Sequence, residues 1–189
     1  MRSRSPSPPS PGALRATGGD LDIAIEGAGF LEITLPNGSS AYTRDGALKR
    51  TGDGLITTSE GFALEPSVTA PDDATSITIT PDGEILASFA DRVAQESLGR
   101  ITLATFANDK GLEAIGGNLF RETAASGPPN IGDPGEDGRG SLRQGFLEES
   151  AVDAVREITE LIEAQRAYEM NAKVLSAADQ MMAATVQVR

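Results

Sequence analysis

An apolar repeat at the C-terminal end of the chain is the feature that most constrains its fold. Between Ser150 and Arg189 there is no Gly or Pro, and apolar residues recur at alternating spacings of three and four. Such a repeat, sustained for about four heptads, predicts a long α-helix that forms a coiled coil. Ser150, followed three residues later by Asp153, resembles a capping box and predicts where this helix begins.

The repeat places nine residues on one seam of the predicted helix. A wide apolar stripe on a lone helix is unfavourable in water, so we expect the seam to be an assembly interface with other helices. Gln165 and Asp179 interrupt it; either the helix tolerates two polar positions, or these residues fix the register between packed helices. The nine predicted interface residues are Ile158, Leu161, Gln165, Tyr168, Ala172, Leu175, Asp179, Met182 and Val186.

Residues 20–106 show a different pattern, in which apolar and polar residues alternate with a period of two. The runs 21–25 and 31–35 are typical of half-buried β-strands. Turn signals containing Gly separate such runs, and the clearest is Asp82-Gly83, which predicts a β-hairpin between its two flanking runs. With one more strand expected within 100–106, this region is predicted to be a meander of short strands.

These patterns divide the chain into three parts. Residues 1–11 are a Ser/Pro-rich tail that we expect to be disordered, residues 12–149 are β-rich, and residues 150–189 form the helix. In the segment 127–140, eight of fourteen residues are Gly or Pro, which predicts a linker or long excursion without helix or strand. The expected fold class is mainly β with a long C-terminal α-helix, that is, an elongated β-meander domain plus a coiled-coil-forming helix.

The composition excludes several functional classes. The 189 residues contain no Cys and no His, so thiol nucleophiles, imidazole bases and zinc sites built on these residues are excluded. The 28 acidic and 16 basic side chains give a net charge of −12, which disfavours nucleic acid and anionic lipid as partners. There is no 18-residue uncharged apolar run and no apolar stretch of a cleavable signal peptide. We therefore expect neither membrane insertion nor a cleaved signal.

No motif in the chain predicts catalysis or a cofactor. Gly27-Ala28-Gly29 follows a predicted strand, as a dinucleotide-binding loop would, but a third Gly and a following helix are missing, so a turn or bulge is expected. The acidic segment 133–138 fails the calcium-loop template. Asp45 and Asp82 are explained by turns. We expect no enzyme, no catalytic residue, no metal site and no cofactor.

Five stretches together resemble the rod and hook proteins of the bacterial flagellum. The stretch at 164–175 (AQRAYEMNAKVL), followed by ADQM at 178–181, resembles the C-terminal signature of that family. The others resemble its further motifs in the same order, and those after residue 117 resemble the distal rod more than the proximal rod or the hook. They are LDIAIEGAGF at 21–30, AYTRDG at 41–46, NLF at 118–120 with Glu122-Thr123 and Ser126-Gly127, and QGF at 144–146.

This resemblance implies a structural subunit that assembles into a helical tube through its terminal helices and transmits torque to the hook. It implies, as partners, copies of itself, the proximal rod, the hook and the surrounding basal-body rings. It also implies a place in the periplasm-spanning rod, reached through the flagellar type III export apparatus without a cleaved signal. Family members begin with a long helix, whereas this chain joins the family pattern at about Gly12, so we expect the N-terminal helix to be missing.

Two alternatives remain open from the sequence. The chain could be a hook or proximal rod subunit of the same family. It could also be a secreted adhesive or carbohydrate-active β domain that carries an oligomerising helix.

Overall fold

The structure is a computed structural model that describes residues 13–149. These residues belong to one compact unit of the chain that ends at Glu149. They form sixteen strands and one 3-10 helix, Asp109–Gly111. The strands are β1 (Leu14–Ala16), β2 (Ile23–Glu26), β3 (Phe30–Thr34), β4 (Ser40–Thr43), β5 (Leu48–Arg50), β6 (Ile56–Thr58), β7 (Ala63–Glu65), β8 (Ala74–Ile79), β9 (Glu84–Phe89), β10 (Glu96–Arg100), β11 (Leu103–Thr105), β12 (Glu113–Gly116), β13 (Leu119–Arg121), β14 (Asn130–Gly132), β15 (Ser141–Gln144) and β16 (Phe146–Glu148).

Strand β3 is the centre of the largest sheet, which has nine strands: seven follow the order β12-β13-β4-β3-β7-β6-β5, β11 is attached at β3, and β14 is attached at β11. Along one edge, β3 pairs with β4 over residues 31–34. It also pairs with β11 at Phe30 and Leu31, and with β7 over residues 32–34. These three antiparallel partners leave neither edge of the five-residue strand β3 unpaired.

Both faces of this sheet are buried, each by a different kind of side chain. The alternation within β3 sends Leu31 and Ile33 into an aliphatic core, while Phe30 enters an aromatic cluster on the other face. In that cluster the ring of Phe30 makes edge-to-face contacts with Phe106 and Phe120, at centroid distances of 6.0 and 5.8 Å. Such contacts are favoured because the positive ring edge meets the negative ring face.

Three smaller sheets complete the unit. Strands β8, β9 and β10 form a three-stranded antiparallel sheet, and β2 pairs with β15. Strand β1 pairs with β16, with Leu14 opposite Glu148 and Ala16 opposite Phe146. These last two pairings join residues that are more than 100 positions apart in the sequence.

The predicted hairpin at Asp82-Gly83 is confirmed. Strands β8 and β9 are antiparallel, with Ile79 opposite Ile85, and Gly83 has a φ of +88°. The side chain of Thr80 and the backbone amide of Asp82 itself favour the charged carboxylate of Asp82 and hold its pKa below its usual value. The turn therefore stabilises the charged form of the aspartate.

The predicted fold class is wrong in two respects. Residues 13–149 are all β apart from the 3-10 turn and contain no α-helix, so mainly β with a long C-terminal α-helix does not describe the structure. The residues to which that helix was assigned, 150–189, lie outside the described residues, as does the predicted tail at 1–11. The β region is also not a meander, because β2 pairs with β15 rather than with β3. Period-two alternation specifies a strand but not its partner, and here the partners are distant in sequence.

The Gly/Pro-rich segment 127–140 also differs from the expected linker. It contains β14, whose residues 130–132 pair with β11, and the amide of Gly140 donates to the carbonyl of Ala28 at 2.7 Å. Gly135 and Gly138 have positive φ angles, where glycine is favoured. Gly and Pro here shape an ordered loop, because all of them except Gly132 lie outside the paired strand. Within the described range, no helix is long and apolar enough to cross a membrane.

Candidate functional site

The ribbon formed by β1 and β16 brings both ends of the described region together. The amide of Glu149 donates to the carbonyl of Ala13 at 2.8 Å, which extends the ladder by one hydrogen bond beyond the strands. At the other end of the ribbon, the amide of Thr17 donates to the carbonyl of Gly145 at 2.8 Å. The chain therefore enters and leaves this unit at one place, on two adjacent antiparallel strands.

Arg44 anchors this ribbon to the remainder of the unit. Its Nε donates to Oε2 of Glu148, in β16, at 2.9 Å. Both side chains are 8% exposed. A charge-assisted hydrogen bond between two nearly buried groups is stronger than the same bond in water, because the surrounding dielectric is low.

The other nitrogens of Arg44 bind the turn between β2 and β3. Nη1 donates to the carbonyls of Gly27 and Gly29 at 3.2 and 2.9 Å. Nη2 donates to the carbonyls of Ile25 and Gly27 at 3.3 and 3.2 Å. The planar guanidinium thus satisfies three backbone carbonyls and one carboxylate at once, a task that its fixed fork of donors suits and a lysine ammonium does not.

Glycine is required where the turn between β2 and β3 meets its surroundings. Gly27 and Gly29 have φ angles of +122° and +135°. A side chain at Gly27 would lie 2.9 Å from Cα of Gly140, so there is no room for one. The expected turn at Gly27-Ala28-Gly29 is thus confirmed, and the carbonyls of its two glycines accept hydrogen bonds from Arg44.

Gln144 and Gly145 attach the strand before the ribbon to the three-stranded sheet. Nε2 of Gln144 donates to the carbonyl of Ile77 at 2.8 Å and to that of Asp20 at 2.6 Å, and its Oε1 accepts from the amide of Ile79 at 3.1 Å. Gly145, with a φ of +77°, turns the chain from β15 into β16. The amide side chain of Gln144 therefore joins three segments, just before the chain enters β16, where Glu148 binds Arg44.

The residues that precede Arg44 connect it to the aromatic cluster. Oγ1 of Thr43 donates to the carbonyl of Asn118 at 3.0 Å, in the turn before β13. Tyr42 lies opposite Phe120 and is 2% exposed. Its burial, together with the negative charges of Glu32 and Glu122, raises the pKa of Tyr42 to about 12. The short segment 42–44 thus contacts the aromatic cluster, the turn before β13 and the ribbon.

The surface of this unit is acidic. Residues 13–149 carry 22 acidic and 10 basic side chains, an excess of 12 negative charges that equals the net charge of the whole chain. The arginines Arg92 and Arg100 each contact two or more carboxylates at the surface. The remaining carboxylates leave a strongly negative surface that repels a second copy at low ionic strength.

None of the nine interface residues predicted from the sequence can be located here. They fall between residues 158 and 186, outside the described residues. What the sequence analysis missed is Arg44 as an anchor and Glu148 as its partner. The only signal for Arg44 in the sequence is its place in the stretch AYTRDG at 41–46, which resembles a family motif. Nothing in the sequence pointed to Glu148, which lies 104 positions away.

Two family models match the chain. The model described as the flagellar hook protein FlgE/F/G D1 domain matches residues 24–87. The model described as the flagellar basal body rod FlgEFG protein C-terminal matches residues 143–188. The first match includes Arg44 and the turn that it binds, and the second includes Glu148.

Curated relatives match over nearly the whole chain. The flagellar basal-body rod protein FlgG of Caulobacter vibrioides is 49% identical over 178 residues, which is 94% of this chain and 68% of the relative. FlgG of Agrobacterium fabrum is 46% identical, covering 90% of this chain and 65% of the relative. FlgG of Bacillus subtilis is 37% identical, covering 95% and 69%. The chain spans about two thirds of the length of these relatives.

These matches confirm the resemblance to flagellar rod proteins that the sequence motifs indicated, including the preference for the distal rod over the hook. The chain belongs to the FlgG family of flagellar basal-body rod proteins.

Proposed function

We propose that the chain is a structural subunit of the distal rod of the bacterial flagellum. The observation that carries this proposal is the 49% identity to a FlgG protein across 94% of the chain. A structural role also suits a unit whose buried polar side chains hold strands together, as Arg44 and Gln144 do.

The organisation of the β unit supports such a role. Its two ends leave through one ribbon, so the flanking residues 1–12 and 150–189 both start from the same place on its surface. We propose that copies of this chain and other axial proteins of the flagellum are its partners, and that the assembly transmits torque.

The finer predictions from the sequence stay proposals. They are the periplasm-spanning location, export through the flagellar type III apparatus, and contacts with the proximal rod, the hook and the basal-body rings. We also propose the nine residues predicted from the sequence, from Ile158 to Val186, as the assembly interface.

The test is deletion of the gene in its own bacterium, followed by electron microscopy of isolated basal bodies. We expect rods that stop short and carry no hook, with swimming restored by the wild-type gene. Complete rods without a hook would indicate a hook subunit instead, and absence of any rod would indicate a proximal rod subunit. Normal basal bodies and normal swimming would contradict a role in the flagellum.

The predicted interface is tested in the same strain with Leu161→Asp and Leu175→Asp. A charge at an apolar contact between subunits costs several kcal/mol per contact, so both variants are expected to be stable in the cell but unable to restore swimming. The control is Glu169→Gln, which removes a charge from a residue outside the predicted interface and should restore swimming. Normal swimming with both aspartate variants would remove these residues from the interface.

A further inference from the structure

We propose that Arg44 and Glu148 are positioning residues that fasten the paired chain ends to the β unit, so that the ribbon of β1 and β16 moves with the central sheet as one rigid joint. The fastening is a property of the folded chain alone. Its mechanical consequence, that force passes between the β unit and the flanking residues through this joint, rests on the proposed function.

The ribbon cannot provide this rigidity by itself. Its ladder has three residue pairs, from Leu14 opposite Glu148 to Ala16 opposite Phe146. Arg15 and Ala16 are exposed, and Phe146 and Leu147 are only partly buried. An isolated two-stranded ribbon is marginally stable in water even when it is longer than this. Something outside the ribbon must therefore hold it.

The contact that holds it is buried and rigid. The guanidinium of Arg44 makes five hydrogen bonds, four to backbone carbonyls and one to Glu148. Because the carbonyls of Ile25, Gly27 and Gly29 belong to the backbone, their four hydrogen bonds restrain the position of the guanidinium. The carboxylate of Glu148 must then stay where the guanidinium is, because leaving either charge unpaired in a buried place is costly.

The carbonyls that bind Arg44 are connected directly to the central strand β3. The carbonyls of Gly27 and Gly29 belong to the turn that precedes Phe30, the first residue of β3. The guanidinium carbon of Arg44 also lies 5.9 Å from the ring centroid of Phe30, within the range of a cation–π contact. A continuous path of buried contacts therefore runs from Glu148 through Arg44 to β3, the strand with three partners.

The chain offers a matched control. Arg143 and Glu26 form an ion pair with the same type of geometry, at 2.8 Å, but their side chains are 48% and 43% exposed. This pair joins β15 to β2. Because Arg143 also lies over the ring of Phe146 in β16, at 4.1 Å from its centroid, the control changes Glu26 and keeps the Arg143 side chain. Exposed pairs contribute little to stability, so Glu26→Gln removes the same charge without the proposed effect.

The experiment is hydrogen–deuterium exchange of the full chain, comparing Glu148→Gln with Glu26→Gln and the wild type. The informative amides are those of Glu149 and Thr17, which donate across the ribbon. We expect Glu148→Gln to accelerate their exchange by about tenfold or more, and by a larger factor than it accelerates the amides of β3. Glu26→Gln should leave the ribbon amides unchanged.

A second variant tests the other partner. Arg44→Lys keeps the positive charge but loses the fork of donors, so we expect faster exchange in the ribbon and in the turn at residues 27–29 together. In Arg44→Lys combined with Glu148→Gln, the ribbon should exchange no faster than in the faster single variant, because the two residues act through one contact.

Three outcomes would overturn the proposal: unchanged exchange in the ribbon with Glu148→Gln, equal effects of Glu148→Gln and Glu26→Gln, or acceleration of the ribbon amides and the β3 amides by the same factor. The last would mean that the pair supports general stability and not the position of the ribbon.

The role in transmitting force is tested separately by swimming of the Glu148→Gln strain in viscous medium. We expect impaired swimming with basal bodies of normal appearance, and normal swimming would overturn that role. Failure of the gene deletion to affect the flagellum would instead reject the proposed function and leave the exchange result intact.

Discussion

The carboxylate of Glu148 lies 2.9 Å from Nε of Arg44, although 104 residues separate the two in the sequence. Replacement of Arg44 by Met removes the guanidinium that donates to this carboxylate and to three backbone carbonyls. Breaking a buried pair from one side costs about 3–5 kcal/mol. We expect Arg44→Met to lower the free energy of unfolding by about that amount, measured by urea denaturation followed by circular dichroism.

Arg143→Met is the control for this prediction, because its ion pair with Glu26 is half exposed. Its expected cost is below about 1 kcal/mol. Similar losses in the two variants would show that burial of the Arg44 pair has no energetic consequence.

Gly46 lies where no side chain fits. A Cβ at this position would lie 1.8 Å from the carbonyl oxygen of Ile23, whose amide also binds the carbonyl of Gly46. Gly46→Ala must push β2 away from the loop after Arg44, at a cost of about 2 kcal/mol or more. Gly52→Ala has no atom within 4 Å of the new methyl group and should change stability by less than about 1 kcal/mol. Thermal unfolding of both variants measures the difference, and equal unfolding temperatures would contradict the close approach.

The raised pKa of Tyr42 predicts a loss of stability at high pH. A tyrosine that ionises at about 12 in the folded protein and at about 10 in the unfolded chain binds its proton more tightly when folded. Its contribution is fully present below about pH 10 and is lost as the pH rises towards 12. We expect about 2 kcal/mol of the free energy of unfolding to disappear over this interval.

Tyr42→Phe is the control for the effect of pH, because it keeps the ring and removes the ionisable group. In this variant the decline between pH 10 and 12 should be smaller than in the wild type. Absorbance near 295 nm should show one tyrosine of the wild type ionising at about 12, and the variant should lack it. The only other tyrosine in the sequence is Tyr168. Ionisation of both wild-type tyrosines near pH 10 would contradict the burial of Tyr42.

The acidic surface predicts that contacts between copies strengthen with salt. The whole excess of 12 negative charges lies in residues 13–149, and screening shortens the range of this repulsion from about 10 Å at 0.1 M salt to about 3 Å at 1 M. We expect self-association of the purified chain, measured by sedimentation velocity, to increase with sodium chloride. Weaker association at high salt would show that attractive ion pairs between copies outweigh the repulsion.

The sequence predicts local features of the fold well. The alternation in Ile23 to Ile25 and Leu31 to Ile33 identifies strands β2 and β3, and Asp82-Gly83 identifies the hairpin between β8 and β9. Each of these depends on neighbouring residues only: the period of side-chain burial, or the ability of glycine to adopt a positive φ.

The pairing of strands could not be predicted in the same way. Nothing near Ile25 indicates that its partner is Leu142, 117 positions away, and the expected meander fails for this reason. The strand at Asn130 to Gly132 was concealed by the glycines and prolines around it, because composition averages over positions whose individual roles differ. Arg44 shows the same limit, since its importance depends on the carbonyls and the carboxylate that the fold brings to it.

The hydrogen bond between Glu149 and Ala13 has an evolutionary consequence. A module whose two ends are adjacent can be enlarged, reduced or exchanged without altering the spacing of the polypeptide on either side, as in domain insertion.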